Sequence, residues 1–300
     1  MLSEHKINAL PKLGVGILDN PSLIDFYHNH IDLLDYIAVV PDMLRLDRGV
    51  GEKPRFMEYE EWVEIVNWLS GKIQLIAHNV GLSIGSAGWF DLEYLDQISY
   101  WHNKYNFCWH SDHLSFFQIP GVNAHDQNVG VAAPVPYDRE VLDLIKQRVG
   151  LVQSAVPVPF LLENNVYYVD IPGQDMSEPQ FLTELTGATS CGILLDLHNI
   201  YTNSVNHGFD ALEFIDEIDL SYVVEVHIAG GNEISGMYAD SHSGSCPDVV
   251  WDMLDYIIPR TPNLCGITFE FHESYYPVLQ MEGIIQQISQ ARGLWQKHCK

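Results

Sequence analysis

Basic residues are scarce in this chain of 300: 15 lysines and arginines face 40 aspartates and glutamates, a formal net charge of −25. Such a surface repels a phosphate backbone, which argues against nucleic acid as a partner; a basic peptide or a buried cluster of cations matches it better. Cysteine is sparse as well. Cys108, Cys191, Cys246, Cys265 and Cys299 are odd in number, widely scattered and form no CxxC. That argues against a disulfide framework and against a thiolate zinc site. No apolar run approaches the roughly 20 residues of a membrane span. The opening MLSEHKINALPKLG has no apolar stretch of the secretory-signal kind. A reducing cytoplasm, away from any membrane, is the expected setting. No GxGxxG opens the first helix, which weakens a dinucleotide-binding fold. Internal repeats, low-complexity tracts and linkers are missing too, so one domain over residues 1–300 is expected.

What the chain does have is core: 47% of its residues are hydrophobic. They come as short runs: LGVGI (13–17), YIAVV (36–40), IQLIAH (73–78), FCWHSDH (107–113), FLLEN (160–164), GILLD (192–196), YVVEVHI (222–228) and GITFE (266–270). Each is β-branched or aromatic-rich and lacks a clean in/out alternation, as strands buried on both faces do. Helical spacing of apolar residues fills the gaps at 58–70, 137–150, 178–187, 247–258 and about 279–297. Eight strands alternating with helices predict a (β/α)8 TIM barrel, with a doubly wound open sheet as the alternative. Residues 114–136, with Pro120, Pro134 and Pro136, read as a long loop of the kind that is often functional.

The strand ends share one feature. They close on a histidine or a carboxylate: His78, then His110, Asp112 and His113, then Glu163, Asp196, His227 and Glu270. In a barrel these ends converge on one face, where active sites sit. Asp240 and His242, in the word YADSHSG, follow the seventh strand; in an extended segment they would point the same way. One such residue is commonly structural, and an Asp there is often a helix cap. Six strands with the same ending are not explained by capping. Buried carboxylates this close repel one another unless cations lie between them. Four carboxylates (Glu163, Asp196, Asp240, Glu270) and four imidazoles (His78, His113, His227, His242) exceed the needs of one ion, so two or three are expected, with a carboxylate such as Glu163 bridging. Imidazole plus carboxylate without thiolate suits iron, zinc or manganese.

In order, the pattern resembles the trinuclear zinc site of endonuclease IV-like and related xylose isomerase-like barrels. The local words resemble a different family. HNVGLSIGS (78–86), SDHLSF (111–116), LLENN (161–165), LDLHNIYTNSVNHGFD (195–210), VHIAGG (226–231) and DSHSG (240–244) are similar to the multinuclear non-heme iron-dependent oxidative enzymes, which include the methanobactin-biosynthesis iron oxidase and the thiaglutamate-peptide oxidase. The similarity runs from about 12 to 272, and NHGFD after Asp-x-x-Asn is its most specific word.

The resemblance implies a (β/α)8 barrel and the following ligand sets. His78 and His113 would hold one iron with Glu163, which would bridge to a second held by Asp196, His227 and Glu270. Asn199, Asp240 and His242 would hold a third. Glu163, His198 and His207 are the candidate catalytic residues, the two histidines acting from behind the ligands. The implied cofactor is two or three irons, mixed-valent Fe(II)/Fe(III), with O2 as co-substrate. The implied reaction oxidises a residue, cysteine first, of a ribosomally synthesised precursor peptide, by removing hydrogen from its Cβ. A separate leader-peptide-binding protein is the implied partner. Three departures stand out: LDLHN adds His198, Gly231 replaces the usual histidine after the VHIAG word, and EFHES replaces Glu-Trp-Asp at the last ligand.

The alternative is a zinc hydrolase or a divalent-metal sugar isomerase on the same barrel. The low basic count opposes nucleic-acid cleavage, and Lys72 and Lys104 fall outside the strand ends. Trp89, Trp101, Trp109 and Tyr167 read as packing or pocket walls. His102, His125 and His272 read as exposed or structural.

Overall fold

The computed structural model describes residues 7–118 and 128–299; His125 lies outside them. The first half of the chain runs β1 (Gly14–Leu18), α1 (Ile24–His30), β2 (Tyr36–Val39), β3 (Arg45–Asp47), β4 (Phe56–Glu58), α2 (Glu60–Ser70), β5 (Gln74–His78), α3 (Leu92–Tyr105), β6 (His110–His113), β7 (Ser115–Gln118), β8 (Asn128–Pro134) and α4 (Arg139–Ala155). The second half runs β9 (Phe160–Glu163), α5 (Glu178–Thr189), β10 (Gly192–Asp196), α6 (Leu197–His207), α7 (Ala211–Asp216), β11 (Val223–Ile228), β12 (Asn232–Ile234), β13 (Met237–Ala239), α8 (Asp248–Ile257), β14 (Gly266–Phe269) and α9 (Tyr276–His298).

Eight of these strands close into a barrel in the order β1-β14-β11-β10-β9-β6-β5-β2, and every barrel pairing is parallel. The eight runs singled out in the sequence are the eight barrel strands. The fold is a TIM barrel, and its helices cover the outside as that architecture requires.

The strands do alternate, but between two apolar surroundings. Phe160 and Leu162 of β9 face the helices, while Leu161 faces the barrel axis; Ile193 and Leu195 face out on β10 and Leu194 faces in. That is why hydropathy alone hid the period. The inner layer is Tyr36, Ala38, Ile76, Trp109, Leu161, Leu194, Val224 and Cys265. Glycine makes room for it: an added Cβ on Gly16 or Gly266 would come 2.6 Å from Tyr36. Trp109 is fully buried, so truncating it to alanine would cost about 3–5 kcal/mol.

The helices form where the sequence caps them. Asp138 accepts from the Val141 amide at 2.8 Å to open α4, whose Leu142, Ile145, Val149 and Val152 make one buried stripe. Ser177 and Gln180 form a capping box on α5. Gln280, at φ +55°, breaks α9 near its start, so its regular part matches the helix expected from about 279.

Residues 114–136 are not a plain loop. β7 and β8 pair antiparallel, with Ser115 opposite Pro134 and Phe116 opposite Ala133, and form a hairpin rising from the end of β6. Runs this short, with prolines at one end, read as loop because they pair with each other outside the barrel sheet and are otherwise held by contacts from distant residues, such as the Gly85 amide on the Ser115 carbonyl at 2.9 Å and Ser83 Oγ accepting from the Phe117 amide at 3.0 Å.

Candidate metal centre

Register brings the polar strand ends side by side. His113 on β6 pairs with Glu163 on β9, and Asp196 on β10 pairs with His227 on β11. Alternation then aims them inward above the apolar layer, His78 two residues beyond Ile76, Glu163 beyond Leu161 and Asp196 beyond Leu194. Glu270 follows β14.

Two groups of three result. Ligating atoms of His78, His113 and Glu163 lie within 4.8 Å of one another, and so do those of Glu163, Asp196 and His227. Glu163 belongs to both. His78 Nε2 and His113 Nε2 stand 3.6 and 3.5 Å from Glu163 Oε2. Glu270 joins through His227, whose Nδ1 lies 2.8 Å from Glu270 Oε1.

Four of the buried atoms here lack a hydrogen-bond partner: Glu163 Oε2, Asp196 Oδ2, Asn199 Oδ1 and His227 Nδ1. The approach of His227 to Glu270 is close without the alignment of a hydrogen bond. A buried polar atom left unpaired costs about 1–3 kcal/mol. A cation accepting these lone pairs removes that cost, and the donor types fit iron, zinc or manganese.

The charges lead to the same place. Burial pushes the Glu163 carboxyl well above the usual carboxylate range, and Asp196, Glu270 and Asp240 push the same way. Burial, then Glu270 and Asp240, raises Asp196 to about 7. Burial keeps His78 neutral and lowers His113 to about 4, leaving lone pairs on both rings. Burial would do the same to His227, but Glu270 and Glu225 outweigh it and hold a proton there. Without cations the cluster therefore carries protons that a metal would displace.

Neighbours fix which nitrogen faces inward. Glu225 Oε1 accepts from His227 Nε2 at 3.0 Å and from Thr268 Oγ1 at 2.6 Å, and Trp109 Nε1 donates to Glu225 Oε2 at 2.8 Å. With its hydrogen given to Glu225, Thr268 Oγ1 accepts from Tyr36 Oη at 2.7 Å. His227 therefore presents Nδ1 to the cluster. Ser111 Oγ, donating to the Ala77 carbonyl, accepts from His78 Nδ1 at 3.0 Å and leaves Nε2 facing Glu163. Such partners set the tautomer and basicity of ligating imidazoles. The pairing of β10 with β11 shifts register between Ile193 and Leu194, and this irregularity turns both Val224 and Glu225 inward. Sequence reasoning passed over Glu225, although a carboxylate inside YVVEVHI, two residues before a candidate ligand, was the signal.

Asp196 plays both parts weighed for it. Its Oδ1 caps α6 by accepting from the Asn199 amide at 2.6 Å, and its Oδ2 remains unpaired in the cluster. Asn164 clamps it on both sides: the Asp196 amide donates to Asn164 Oδ1 at 2.8 Å, and Asn164 Nδ2 donates to the Asp196 carbonyl at 2.9 Å.

Asp240 and His242 do meet, for a different reason from the one expected. The segment is not extended; His242 takes φ +49°, which turns its ring back on Asp240. His242 Nε2 lies 3.1 Å from Asp240 Oδ1 and 3.5 Å from Glu270 Oε2. Burial opposes both charges, but Asp240 raises His242 to about 10 while His242 and His198 hold Asp240 below the usual carboxylate range. Asn199 stands on the other side: its Nδ2 donates to the Asn164 carbonyl at 3.1 Å and approaches Glu163 Oε1 at 3.4 Å.

This geometry meets its counterpart among known sequences. A profile of the RiPP precursor modification enzymes MbnB/TglH/ChrH, which act on ribosomally synthesised and post-translationally modified peptides, matches residues 28–294. The chain belongs to that family. A UPF0276 protein of Caulobacter vibrioides is 28% identical over 282 residues, covering 94% of this chain and 93% of the relative. One from Rhizorhabdus wittichii is 34% identical over 250 residues, 82% of this chain and 83% of the relative. Among solved structures, D-psicose 3-epimerase from Clostridium cellulolyticum superposes with TM-score 0.58 at 10% identity, covering 96% of this chain and 99% of that one. Endonuclease IV from Thermus thermophilus does so with TM-score 0.54 at 13% identity, covering 95% and 99%. At such identities these two share the fold.

Of the departures from MbnB/TglH/ChrH wording, His198 is fully buried rather than exposed. Its Nδ1 is 2.8 Å from Asp240 Oδ1 and its Nε2 is 3.3 Å from Tyr238 Oη. His207 is elsewhere, at the far end of α6, with Nε2 donating to the Tyr167 carbonyl at 3.0 Å and Nδ1 3.1 Å from Asp170. The NHGFD word places it there: Asn206 hydrogen-bonds both the amide and the carbonyl of Tyr238, and Gly208, at φ +76°, ends the helix. Local wording joined His207 to the ligands because sequence cannot show that eight residues of helix, about 12 Å, separate it from Asn199.

Trp101 and Trp109 are buried and Trp89 half-buried; His102 is buried against His110, and His272 is exposed. Lys104 pairs with Glu58 and Lys72 lies over Trp68, so neither reaches the centre. Among the described residues no helix is long and apolar enough to cross a membrane.

Proposed function

We propose that this protein is an iron-dependent, O2-using oxidase that modifies a residue, cysteine first, of a ribosomally synthesised precursor peptide delivered by a leader-binding partner protein. The observation that carries the reading is the pair of three-residue groups sharing Glu163, with unpaired buried atoms converging between them, in a chain whose family modifies such peptides.

His78, His113 and Glu163 would hold one iron, and Glu163, Asp196, His227 and Glu270 a second. Asp240 and His242 would hold a third, with Asn199 reaching from the Glu163 side. Iron there would supply the electron transfer and oxygen chemistry that carboxylates and imidazoles lack. The protein's own work is positioning. Glu225 and Ser111 keep lone pairs of His227 and His78 turned inward, Asn164 holds Asp196, and His198 holds Asp240. Access is one-sided: the side chains of Glu163, His227 and Glu270 are at most 3% exposed, whereas those of His113, Asp240 and His242 are 24, 14 and 29% exposed. The peptide residue therefore approaches over His113 and His242, and the buried members stay out of water.

Protein purified without oxygen in iron-replete medium should hold two or three irons, with coupled-spin Mössbauer signatures. Stoichiometric zinc from the same medium would favour the hydrolase or isomerase instead. Mass spectrometry of candidate precursor peptides after aerobic incubation reads the activity itself.

A further inference from the structure

The NHGFD word takes no part in the metal centre, yet it lies against a second feature. A cavity of about 340 Å³ opens between the loop after β9, the start of α5 and the α6–α7 turn. Phe209 and Asp210 of the word line it, and His207 braces its wall, with its ring 4.4 Å from that of Tyr167.

The lining has an unusual balance. Asp170, Glu178, Asp210, Glu213 and Glu217 contribute carboxylates, and no lysine or arginine is present to answer them. Asp210 and Asp170 have work elsewhere, capping α7 and facing His207. Glu178 does not. It is 4% exposed, lines the cavity, and neither of its carboxylate oxygens has a hydrogen-bond partner. Tyr137 Oη and the Asn165 amide lie against it without the alignment of a hydrogen bond, and Tyr137 Oη is itself unpaired. Burial pushes the Glu178 carboxyl up to about 8, a cost that a bound cation would remove. Aromatic rings line much of the rest: Tyr137, Tyr167, and Phe209 stacked on Phe214 at 5.3 Å, beside aliphatic Val169 and Ile171.

A buried carboxylate at the base of aromatic walls is complementary to a planar cation, which can hydrogen-bond the carboxylate along its edge and stack its face on a ring. A compact ammonium can donate hydrogen bonds and lie over a ring, but it cannot pair edge-on with both carboxylate oxygens while stacking a flat face.

Adjacent residues connect the cavity to the metal centre. Tyr167 lines the cavity, while Tyr168 Oη accepts from the Asp240 amide at 3.0 Å. We propose that this cavity is a specificity pocket that takes an arginine side chain of the peptide whose neighbouring residue is presented to the metals. The peptide source rests on the function proposed above; the guanidinium chemistry of the pocket does not.

The test uses the full chain and two probes, acetyl-arginine amide and its neutral isostere acetyl-citrulline amide, titrated by saturation-transfer NMR. Neither probe needs metal or turnover, so the pocket can fail while a peptide is still modified, and peptide oxidation can fail while the pocket stands. The arginine probe should bind about tenfold more tightly than citrulline. Glu178→Gln should abolish that preference, and Glu213→Gln with Glu217→Gln, both on the exposed face of the pocket, should reduce it several-fold. His113→Ala, at the metal centre, should leave it unchanged. Equal binding of the two probes, retention of the preference in folded Glu178→Gln, or its loss in His113→Ala would each overturn the assignment.

Discussion

His198 stands in the space that a side chain on Gly231 would need. A Cβ added to Gly231 would come 2.7 Å from His198 Nε2 and 2.4 Å from the Ala239 carbonyl. The two departures from the family's wording thus lie against each other: Gly231 stands where a histidine is expected after VHIAG, and His198 on α6 occupies the space beside it. From there His198 holds Asp240.

Removing that support should loosen one ion and spare the rest. His198→Ala is expected to weaken retention of the third metal about 10–100-fold, the usual penalty for losing a residue that orients a ligand. Gly231→Ala should act in the same direction, because its methyl displaces the imidazole and meets the Ala239 backbone. Metal content after dialysis against a graded chelator checks both; a full complement in both variants would dismiss the role of His198.

Glu163→Gln should empty both three-residue groups, since one carboxylate serves the two. Metal analysis should find both ions lost together and turnover abolished, while thermal unfolding of the metal-free protein stays cooperative. Loss of a single ion would show that Glu163 is terminal and not shared.

Glu225→Gln tests the tautomer of His227 without replacing a proposed ligand. The amide cannot accept at both of its heavy atoms, so the hydrogen bonds from Trp109, Thr268 and His227 cannot all survive. Metal affinity at the Glu163, Asp196 and His227 group should fall about 10–100-fold, with little change at His78 and His113.

Metal uptake should depend on pH, and the sign follows from the raised carboxyls. Asp196, raised by burial to about 7, is protonated below neutrality and must lose that proton to bind a cation, and burial pushes Glu163 in the same direction. Affinity is therefore expected to drop about tenfold per pH unit for each proton displaced as pH falls below 7. Chelator competition at pH 6, 7 and 8 measures the slope, and a flat response would contradict the protonated resting cluster.

Much of this protein is legible along the chain. A strand buried on both faces must be a short apolar run, so eight such runs declared eight barrel strands. A histidine or carboxylate at the end of such a run is conspicuous because burial there is costly, so His78, His113, Glu163, Asp196, His227 and Glu270 stood out. Tertiary structure decided the rest. It set the register that lays His113 beside Glu163, the irregularity that turns Glu225 inward, the left-handed turn that folds His242 onto Asp240, and the separation of His207 from the ligands. Each depends on which segments become neighbours and how the backbone turns between them. Those are properties of pairs of residues far apart in the chain, and no local stretch records them.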